Sequence, residues 1–289
     1  MGNKMSVGPS SSLVLLAEAA PGVHRLTLNS PGDRNALSAA MREAILDSLA
    51  KAREAGAAVV IVSGDDRAFS SGYKLDPGVM RPKTPVEDRR RLTEVVTFMK
   101  AYRDQPLVTI AEIRGYCLAG GTDLMLASDI AVAANDANIG VPNVRGLGIT
   151  MLLPVWSWLV GPQRAKLLAL TGDLLSGAEA AQNGLISASY EEAELSVRTR
   201  ELAERIAMVP QELTAVVKHA LNAAWDSAGF SEATNRAVEL DVLAHLSAPV
   251  VDFWDRVERE GLKSTLVARD DAFEQGRTPN QIAPPVAGR

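Results

Sequence analysis

The stretch LAGGTDLMLASD, Leu118 to Asp129, decides the fold of this chain. It places two glycines, Gly120 and Gly121, before an apolar run that carries the carboxylate of Asp123. Glycines let the backbone turn tightly where a helix begins and leave unpaired N–H groups at that end. The helix dipole favours an acid in the first turn, so the position of Asp123 fits either helix stability or chemistry.

Strand-like segments flank this stretch and recur before it. The segment PLVTIAEIRG (106–115) precedes it, and SDIAVAAN (128–135) follows it. Earlier, VHRLTLNSP (23–31) alternates like a strand, and AVVIVSG (58–64) is a β-branched run typical of a strand covered on both faces. Between those two, residues 38–56 have the apolar spacing of a helix. This β-α-β order predicts an α/β domain with a parallel sheet.

Two helix starts carry recognisable capping residues. Ser38 precedes the first helical segment and is a predicted N-cap. The residues TPVE (84–87) form a predicted capping box, with Thr84 as the cap and Glu87 as its partner. A loop of about twenty residues precedes this second start, and loops of that length inside a compact domain are usually functional.

The composition excludes several classes of protein. The 289 residues are 47% hydrophobic, which is enough for a sizeable core, and the formal net charge is −5. Acidic and basic residues alternate along the chain, so we expect no nucleic-acid partner. Cys117 is the only cysteine, so no intramolecular disulfide and no thiolate metal site can form. No segment approaches the length of a membrane span, and we expect a cytoplasmic protein that binds no membrane.

The α/β pattern gives way to helices in the second half of the chain. We predict an α/β core over residues 12–195, a helical region over 196–275 and a disordered tail over 276–289. The helical region has more apolar face than one small domain needs. This surplus predicts packing against other subunits.

A second glycine turn resembles the first. In AFSSGYK (68–74), as in GYCLAGGTD (115–123), a strand ends and small residues follow. Two N–H groups that converged from such turns would form an oxyanion hole, which stabilises negative charge on a carbonyl oxygen. The same residues are equally compatible with two ordinary glycine turns.

Longer motifs around both turns match a known family. FSSGYKL resembles the motif F-x-x-G-A-D-[IL], and the segment from IAEIRGYCLAGGTDL to the following SD resembles I-A-x-[IV]-x-G-x-[AC]-x-G-G-G-x-[DE]-L-x-x-x-C-D. Three further segments agree with the sequences of the same family, namely RNALS, GDDRAFSSG and LTGDLLSGAEAAQNGLIS. From about Val14 to Glu274 the chain is identified as a divergent member of the crotonase superfamily, also called the enoyl-CoA hydratase/isomerase family. The resemblance implies an α/β crotonase (ClpP/crotonase-like) spiral of β-β-α units with a C-terminal helical trimerisation region.

The resemblance also implies a ligand and an assembly. Members bind acyl-CoA thioesters and form homotrimers or hexamers built as dimers of trimers. The N–H groups of Tyr73 and Gly120 align with the family's oxyanion hole, which stabilises an enolate. No cofactor and no metal are expected, because CoA is part of the substrate. The residues expected to contact substrate or CoA are Arg34, Arg67, Ser71, Gly72, Lys74, Leu75, Asp76 and Gly121.

The chain departs from the family pattern at the catalytic acids. Family hydratases use two glutamates, which align here with Asp123 and Asn143. An amide can orient a water molecule but does not exchange a proton at useful pH. We therefore expect Asp123 to move a proton or position water, and Asn143 to orient the reacting group. An enoyl-CoA hydratase is the leading hypothesis. An isomerase, a CoA-thioester or β-diketone hydrolase and a non-catalytic acyl-CoA-binding homologue are the alternatives.

Other polar residues are weaker candidates. A missing acid or base could come from Glu87, Asp88, Glu112 or Arg145, each of which could equally be a solvated surface group. The histidines lack metal-ligand spacing, so structural roles are expected for His24, His219 and His245. Bulky residues stand where the family has small ones, which predicts an acyl pocket unlike the short-chain pocket; they are Tyr73, Trp156 and Trp158.

Overall fold

The structure is a computed structural model that describes residues 12–81, 84–149 and 151–274. Its strands in this part of the chain are β1 (Val14–Ala20), β2 (Val23–Leu28), β3 (Val59–Ser63), β4 (Ala68–Ser70), β5 (Val108–Ile113), β6 (Tyr116–Leu118), β7 (Ile130–Ala134), β8 (Asn138–Gly140), β9 (Leu175–Ser176) and β10 (Ala188–Tyr190). They form a larger sheet in the order β1-β2-β3-β5-β7-β10 and a smaller sheet in the order β4-β6-β8-β9.

The helices surround these sheets and fill the C-terminal half. They are α1 (Ala39–Glu54), α2 (Pro77–Met80), α3 (Pro85–Arg103), α4 (Gly120–Ala127), α5 (Trp156–Leu159), α6 (Pro162–Thr171), α7 (Gly177–Gln182), α8 (Glu192–Ala207), α9 (Gln211–Ser227), α10 (Phe230–His245), α11 (Ala248–Glu260) and α12 (Leu262–Glu274). Short 3-10 helices occur at Pro31–Asp33 and Pro142–Arg145.

Successive strand pairs divide between the two sheets. β3 lies in the larger sheet, β4 in the smaller one, and α3 follows; β5, β6 and α4 repeat this order. β7 and β8 begin a third unit. The strands β2, β3, β5, β7 and β10 are mutually parallel, as predicted, and β1 is an antiparallel edge strand. This alternation is the spiral of β-β-α units that the resemblance implied.

The apolar pattern accounts for the core. Every residue of β3 is buried, as its β-branched run predicted, and every residue of β5 is buried as well. α1 packs against β1 and β2, and α8 packs against β3, β5 and β7. The Ser38 side chain caps α1 by accepting a hydrogen bond from the Met41 N–H at 3.1 Å. Thr84 caps α3 through the Glu87 N–H, which is one half of the predicted capping box.

The smaller sheet positions the two glycine turns. β4 and β6 are parallel neighbours, so their carboxyl ends lie side by side. These strands are only three residues long, and sequence periodicity did not predict them. Cys117, in the middle of β6, is fully buried, and burial followed by the charge of Asp123 raises the pKa of its thiol.

The C-terminal helices pack on the core and on one another. α8 runs across the boundary predicted at 195/196 and lies on the larger sheet. α10 packs on α3, and α11 packs on α12 and α2. The tail predicted over 276–289 lies outside the described residues. No helix in the described ranges is long and apolar enough to cross a bilayer.

Candidate active site

The two glycine turns lie in direct contact. A Cβ atom added to Gly72 would lie 2.8 Å from the Leu118 carbonyl oxygen and 3.1 Å from the Gly120 nitrogen. A Cβ atom added to Gly121 would lie 2.6 Å from the Ser70 carbonyl oxygen. Only glycine permits this approach of two backbones. The structure therefore brings together the turns that the sequence placed about fifty residues apart.

Backbone N–H groups are available where the turns meet. Within the described residues, the N–H groups of Tyr73 and Gly120 donate no hydrogen bond. Gly120 is the first residue of α4, where the helix dipole is positive. The preceding Ala119 has φ 50° and ψ −118°, a conformation that favours glycine and costs about 1–3 kcal/mol. The site holds its backbone in a strained turn that can receive an anion.

Asp123 lies one turn into α4 and is completely buried. Its Oδ2 accepts a hydrogen bond from the Tyr73 hydroxyl at 2.8 Å, and its Oδ1 accepts one from the Leu153 N–H at 3.1 Å. Burial raises the pKa of Asp123 to about 7, and the nearby charge of Asp241 adds to this rise, while the two hydrogen bonds oppose it. A carboxyl group with this pKa can accept and donate a proton near neutral pH.

The side chain of Tyr73 was not predicted to take part in the site. Its ring lies over Gly120, because a Cβ atom added there would be 2.7 Å from the ring. Burial, followed by the charge of Asp123, raises the pKa of Tyr73 well above its ordinary value. The phenol therefore stays protonated and donates to Asp123. Sequence reasoning assigned only the backbone of Tyr73, although a tyrosine where the family has alanine was a usable signal.

Asn143 lies in the 3-10 helix Pro142–Arg145 and is buried. Its Oδ1 accepts no hydrogen bond from the described residues. The chain that follows leads to Leu153, which bonds Asp123. Arg145 is engaged elsewhere, since it pairs with Asp173 at 3.0 Å and stacks on Phe273. Of the two polar side chains in Pro142–Arg145, that of Asn143 is thus the one with an acceptor atom available to a ligand.

Of the residues predicted to bind CoA, six are at least partly exposed and form a rim beside the turns, namely Arg34, Arg67, Ser71, Lys74, Leu75 and Asp76. Gly72 and Gly121 are buried within the turns. Lys74 is half-exposed and pairs with Asp33 at 3.0 Å. Arg34 lies 5.7 Å from the ring centre of Tyr116, and Arg67 is exposed. Arg34 and Arg67 thus bring exposed positive charge to the rim, whereas the charge of Lys74 is paired with that of Asp33.

Other predicted rim residues have structural contacts. The Ser71 hydroxyl donates to the Asp33 carbonyl oxygen at 3.2 Å. The Asp76 side chain caps α2 through the Gly78 N–H at 2.9 Å. Leu75 packs against an apolar cluster formed by Leu147, Val250, Phe253, Trp254 and Val257.

The remaining polar candidates are held by structural partners. Glu112 is buried between Arg25, at 2.9 Å, and Arg114, at 2.6 Å. Glu87 is exposed, whereas Asp88 is buried against His245. No cluster of three His, Cys, Asp or Glu side chains suited to a metal occurs in the described ranges.

The two tryptophans of the predicted pocket segment differ in burial. Trp156 is buried, and Trp158 is exposed against Trp225 in an edge contact with ring centres 5.8 Å apart. Only Trp156 can therefore fill space inside the protein.

Comparisons with known proteins agree with this architecture. The family model for enoyl-CoA hydratase/isomerase matches residues 18–262. "Enoyl-CoA hydratase domain-containing protein 3, mitochondrial" of Danio rerio is 30% identical over 221 residues, 76% of this chain and 76% of that protein. "4-chlorobenzoyl coenzyme A dehalogenase-2" of an Arthrobacter species is 28% identical and covers 90% of this chain and 96% of its own. An enoyl-CoA hydratase/isomerase from Xanthobacter autotrophicus Py2 has a crystal structure that matches with TM-score 0.83 at 32% identity, over 91% of this chain and 99% of that one. This chain has the crotonase fold and belongs to the enoyl-CoA hydratase/isomerase family.

Proposed function

We propose that this protein acts on acyl-CoA thioesters and that its reaction is the hydration of an enoyl-CoA. One arrangement carries the proposal: the buried Asp123 carboxyl group, bonded to the Tyr73 hydroxyl at 2.8 Å, beside the open N–H groups of Tyr73 and Gly120. Two N–H donors suit an oxyanion, and the carboxyl group suits proton transfer.

The N–H groups act on the thioester carbonyl. When water attacks C3 of a 2-enoyl thioester, negative charge moves to the carbonyl oxygen and an enolate forms. The N–H groups of Tyr73 and Gly120 stabilise that charge, and the positive end of the α4 dipole adds to their effect. One such donor is worth about 2.7–4 kcal/mol.

Asp123 completes the proton balance. The attacking water gives its proton to the Asp123 carboxylate as the C3–O bond forms. The protonated Asp123 then returns a proton to C2, and the enolate collapses to the thioester. One carboxyl group thus suffices for addition of water across the double bond, and no cofactor is needed beyond the CoA of the substrate. Asn143 orients the water through its Oδ1, which accepts no hydrogen bond from the described part of the chain.

A second candidate is isomerisation of the double bond. The amide of Asn143 favours it, because Asp123 is then the one carboxyl group of the aligned pair. A single carboxyl group can remove a proton from one carbon and return it to another. The relatives named as a hydratase domain-containing protein and as a dehalogenase are about equally similar to this chain. The names of relatives therefore do not choose the reaction.

The reaction is tested with enoyl-CoA thioesters of several chain lengths in water enriched in oxygen-18. Hydration gives a 3-hydroxyacyl-CoA that carries one oxygen-18 atom. Isomerisation gives a product of unchanged oxygen content with a moved double bond, and hydrolysis releases free CoA. We expect the first result, and its loss in Asp123→Asn. Acyl-CoA binding without turnover, unchanged by Asp123→Asn, would show a non-catalytic homologue.

The exposed arginines of the rim and the residues of the turns support the proposal that this site recognises CoA. We propose that Arg34, Arg67 and Lys74 meet the phosphates of CoA, and that residues 71–76 with Gly121 line the path of its pantetheine arm. Arg34 and Arg67 are exposed, and their charges oppose those of the CoA phosphates. Calorimetric titration with a saturated acyl-CoA tests this, and Lys74→Gln should weaken binding.

The apolar surface of the helical region supports an assembly of several copies of the chain. We propose a homotrimer, or a hexamer built from two trimers. The observation in support is a group of exposed apolar side chains on α9, namely Leu213, Val216, Val217 and Leu221. We further propose a cytoplasmic location, to be tested by cell fractionation.

A further inference from the structure

A group of buried titratable side chains adjoins the Tyr73–Asp123 pair and has no part in the chemistry above. It consists of Asp88 on α3 and of Asp241 and His245 on α10. No more than 4% of any of these three side chains is exposed. Burying charged groups is costly unless they are paired and hydrogen-bonded, so the contacts of this group decide its role.

The three side chains lie in a row, with a hydrogen bond between His245 and Asp88 and a longer polar contact between His245 and Asp241. The His245 Nδ1 lies 2.6 Å from the Asp88 Oδ2, and its Nε2 lies 3.5 Å from the Asp241 Oδ1. Arg91 donates to the other Asp88 oxygen at 2.6 Å. Burial alone would raise the pKa of Asp88, but the hydrogen bonds and charges of His245 and Arg91 outweigh it and lower that pKa. Asp88 is therefore an ionised anchor for His245.

Asp241 in turn holds the segment that follows Asn143. We call residues 146–149 and 151–153 the linking segment. The Ile149 N–H donates to the Asp241 Oδ1 at 2.9 Å. Gly148 has φ 120°, and a Cβ atom there would lie 2.8 Å from both the Asp241 Oδ1 and the His245 Nε2. Because Gly148 has no side chain, the linking segment can lie in direct contact with Asp241 and His245.

The two ends of the linking segment reach the proposed catalytic residues. At its start, the Leu147 N–H bonds the Asn143 carbonyl oxygen at 2.8 Å. At its end, the Leu153 N–H bonds the Asp123 Oδ1 at 3.1 Å. Its middle is bound to Asp241. Two buried carboxyl groups, one on α4 and one on α10, thus fix the same short segment.

We propose that Asp241, supported by His245 and Asp88, is a positioning residue that holds the linking segment so that Asn143 and Asp123 keep their places around the substrate. This inference rests on the proposed function. No sequence pattern indicated it, because Asp88 and His245 are 157 residues apart.

Asp241 also acts on Asp123 through its charge. Burial is the main cause of the raised pKa of Asp123, and the charge of Asp241 adds to it. Within the described residues, the charged and titratable groups around this part of the protein include His245 on α10, Asp88 and Arg91 on α3, Asp123 on α4, Cys117 on β6, Tyr73 after β4 and Arg42 on α1. Neutralising Asp241 at constant shape should therefore lower the pKa of Asp123.

The test compares Asp241→Asn with Asp241→Leu in the full-length protein. Asparagine keeps an oxygen for the Ile149 N–H, whereas leucine of similar size does not. With a 2-enoyl-CoA as substrate, we expect Asp241→Leu to lower kcat about 100-fold with little change in KM, as for a misplacement near 1 Å. Asp241→Asn should restore most of kcat and shift the acid limb of its pH profile to lower pH.

A matched control uses a surface pair between the same helices. Arg89 on α3 and Glu239 on α10 pair at 2.6 Å, and both are exposed, so Glu239→Gln should leave kcat and its pH profile unchanged. If Asp241→Leu costs no more kcat than Glu239→Gln, or if the acid limb of Asp241→Asn stays in place, the inference is wrong. If Asp241→Leu does not fold, the pH profile of Asp241→Asn decides.

A second measurement separates this inference from the proposed function. Hydrogen exchange of the Ile149 amide does not depend on turnover. It should be faster in Asp241→Leu and unchanged in Glu239→Gln. A wild-type protein that turns over no acyl-CoA would overturn the proposed function, while equal Ile149 exchange in wild type and Asp241→Leu would overturn the role of Asp241.

Discussion

Tyr73 contributes two different groups to one site. Its backbone N–H donates no hydrogen bond within the described residues, and its hydroxyl donates one to Asp123. A side-chain change can remove the second group and leave the first. This separation makes Tyr73 the most informative single residue for mutagenesis.

Tyr73→Phe should lower kcat roughly 10- to 100-fold, since a hydrogen bond to a charged group is worth about 1.5–3 kcal/mol. The hydroxyl stabilises the ionised form of Asp123, so its loss should raise the pKa of Asp123 above about 7. The acid limb of the kcat profile should move to higher pH. A pH profile measured at saturating enoyl-CoA checks both effects, and a limb that stays in place would show that the hydroxyl does not act on Asp123.

Asp123 should make the folded protein less stable as the pH rises. Its pKa is about 7 in the folded protein against 3.8 for the unperturbed group, so the folded state binds more protons between these values. The free energy of unfolding therefore falls as the pH rises from about 4 to about 7. Asp123→Asn removes this cost and should stabilise the protein by up to about 4 kcal/mol above pH 7. Urea unfolding at pH 5 and pH 8 measures the change, and a gain equal at both pH values would contradict it.

Gly120 is a position where one methyl group would displace the Tyr73 ring. Gly120→Ala would place a Cβ atom 2.7 Å from that ring, so the ring must shift and its hydrogen bond to Asp123 is disturbed. We expect a loss in kcat of about 100-fold. Gly32→Ala is the matched control, because a Cβ atom there meets nothing within 4 Å. Steady-state kinetics of both variants tests this expectation. If Gly120→Ala lost no more activity than Gly32→Ala, the assignment of Gly120 to the site would be contradicted.

Among the elements, those with a strong apolar period were predictable, and the short ones were not. The helix that begins after Ser38 and the buried strands β3 and β5 lie where their patterns indicated. β9 is two residues long, and β4, β6 and β8 are three, too short for an alternation to register. The smaller sheet is formed by tertiary contacts between units that the sequence separates.

Glu112 forms ion pairs that stabilise β5 and take no part in the proposed active site. It lies on β5 between Arg25 on β2 and Arg114. Glu112→Gln should lower the free energy of unfolding by about 3 kcal/mol, the lower end for a broken buried pair, because the Arg25 side chain is 26% exposed. The kcat value should not change, which would exclude Glu112 as a catalytic acid.

The effect of Glu112 should depend on pH in a defined direction. Burial opposes its ionisation, but the two arginines outweigh burial and lower its pKa below 4.5. Its contribution to stability is therefore complete above pH 4.5 and is lost as the pH falls through the folded-state pKa. Denaturant unfolding of wild type and Glu112→Gln should converge in acid, and a constant difference would contradict the assignment.

At the scale of the whole molecule, long-range contacts limited what the sequence could predict. The motifs located both glycine turns and Asp123, because each motif is local. The Tyr73 hydroxyl reaches Asp123 across 50 residues, and Ile149 reaches Asp241 across 92. Such contacts depend on how the units of the spiral pack, and no spacing along the chain encodes them.

The proposed assembly gives a prediction at the same scale. Leu221 on α9 is 66% exposed in the single chain. Leu221→Lys would place a charge in the proposed interface and should shift the protein towards monomers in light scattering. Gln182→Lys adds the same charge at an exposed site on α7 and should leave the assembly intact. A wild-type protein that is monomeric would contradict the proposed trimer.

The burial of Cys117 has a practical consequence for experiments in solution. Its thiol lies inside β6 with a raised pKa, so it resists alkylation while the protein is folded. It is the only cysteine, so the native surface of the described chain offers no site to a maleimide dye. A cysteine introduced on α9 would therefore be the sole labelling position. Energy transfer between dyes on separate copies of the chain would then report their assembly, while Cys117 stays unmodified.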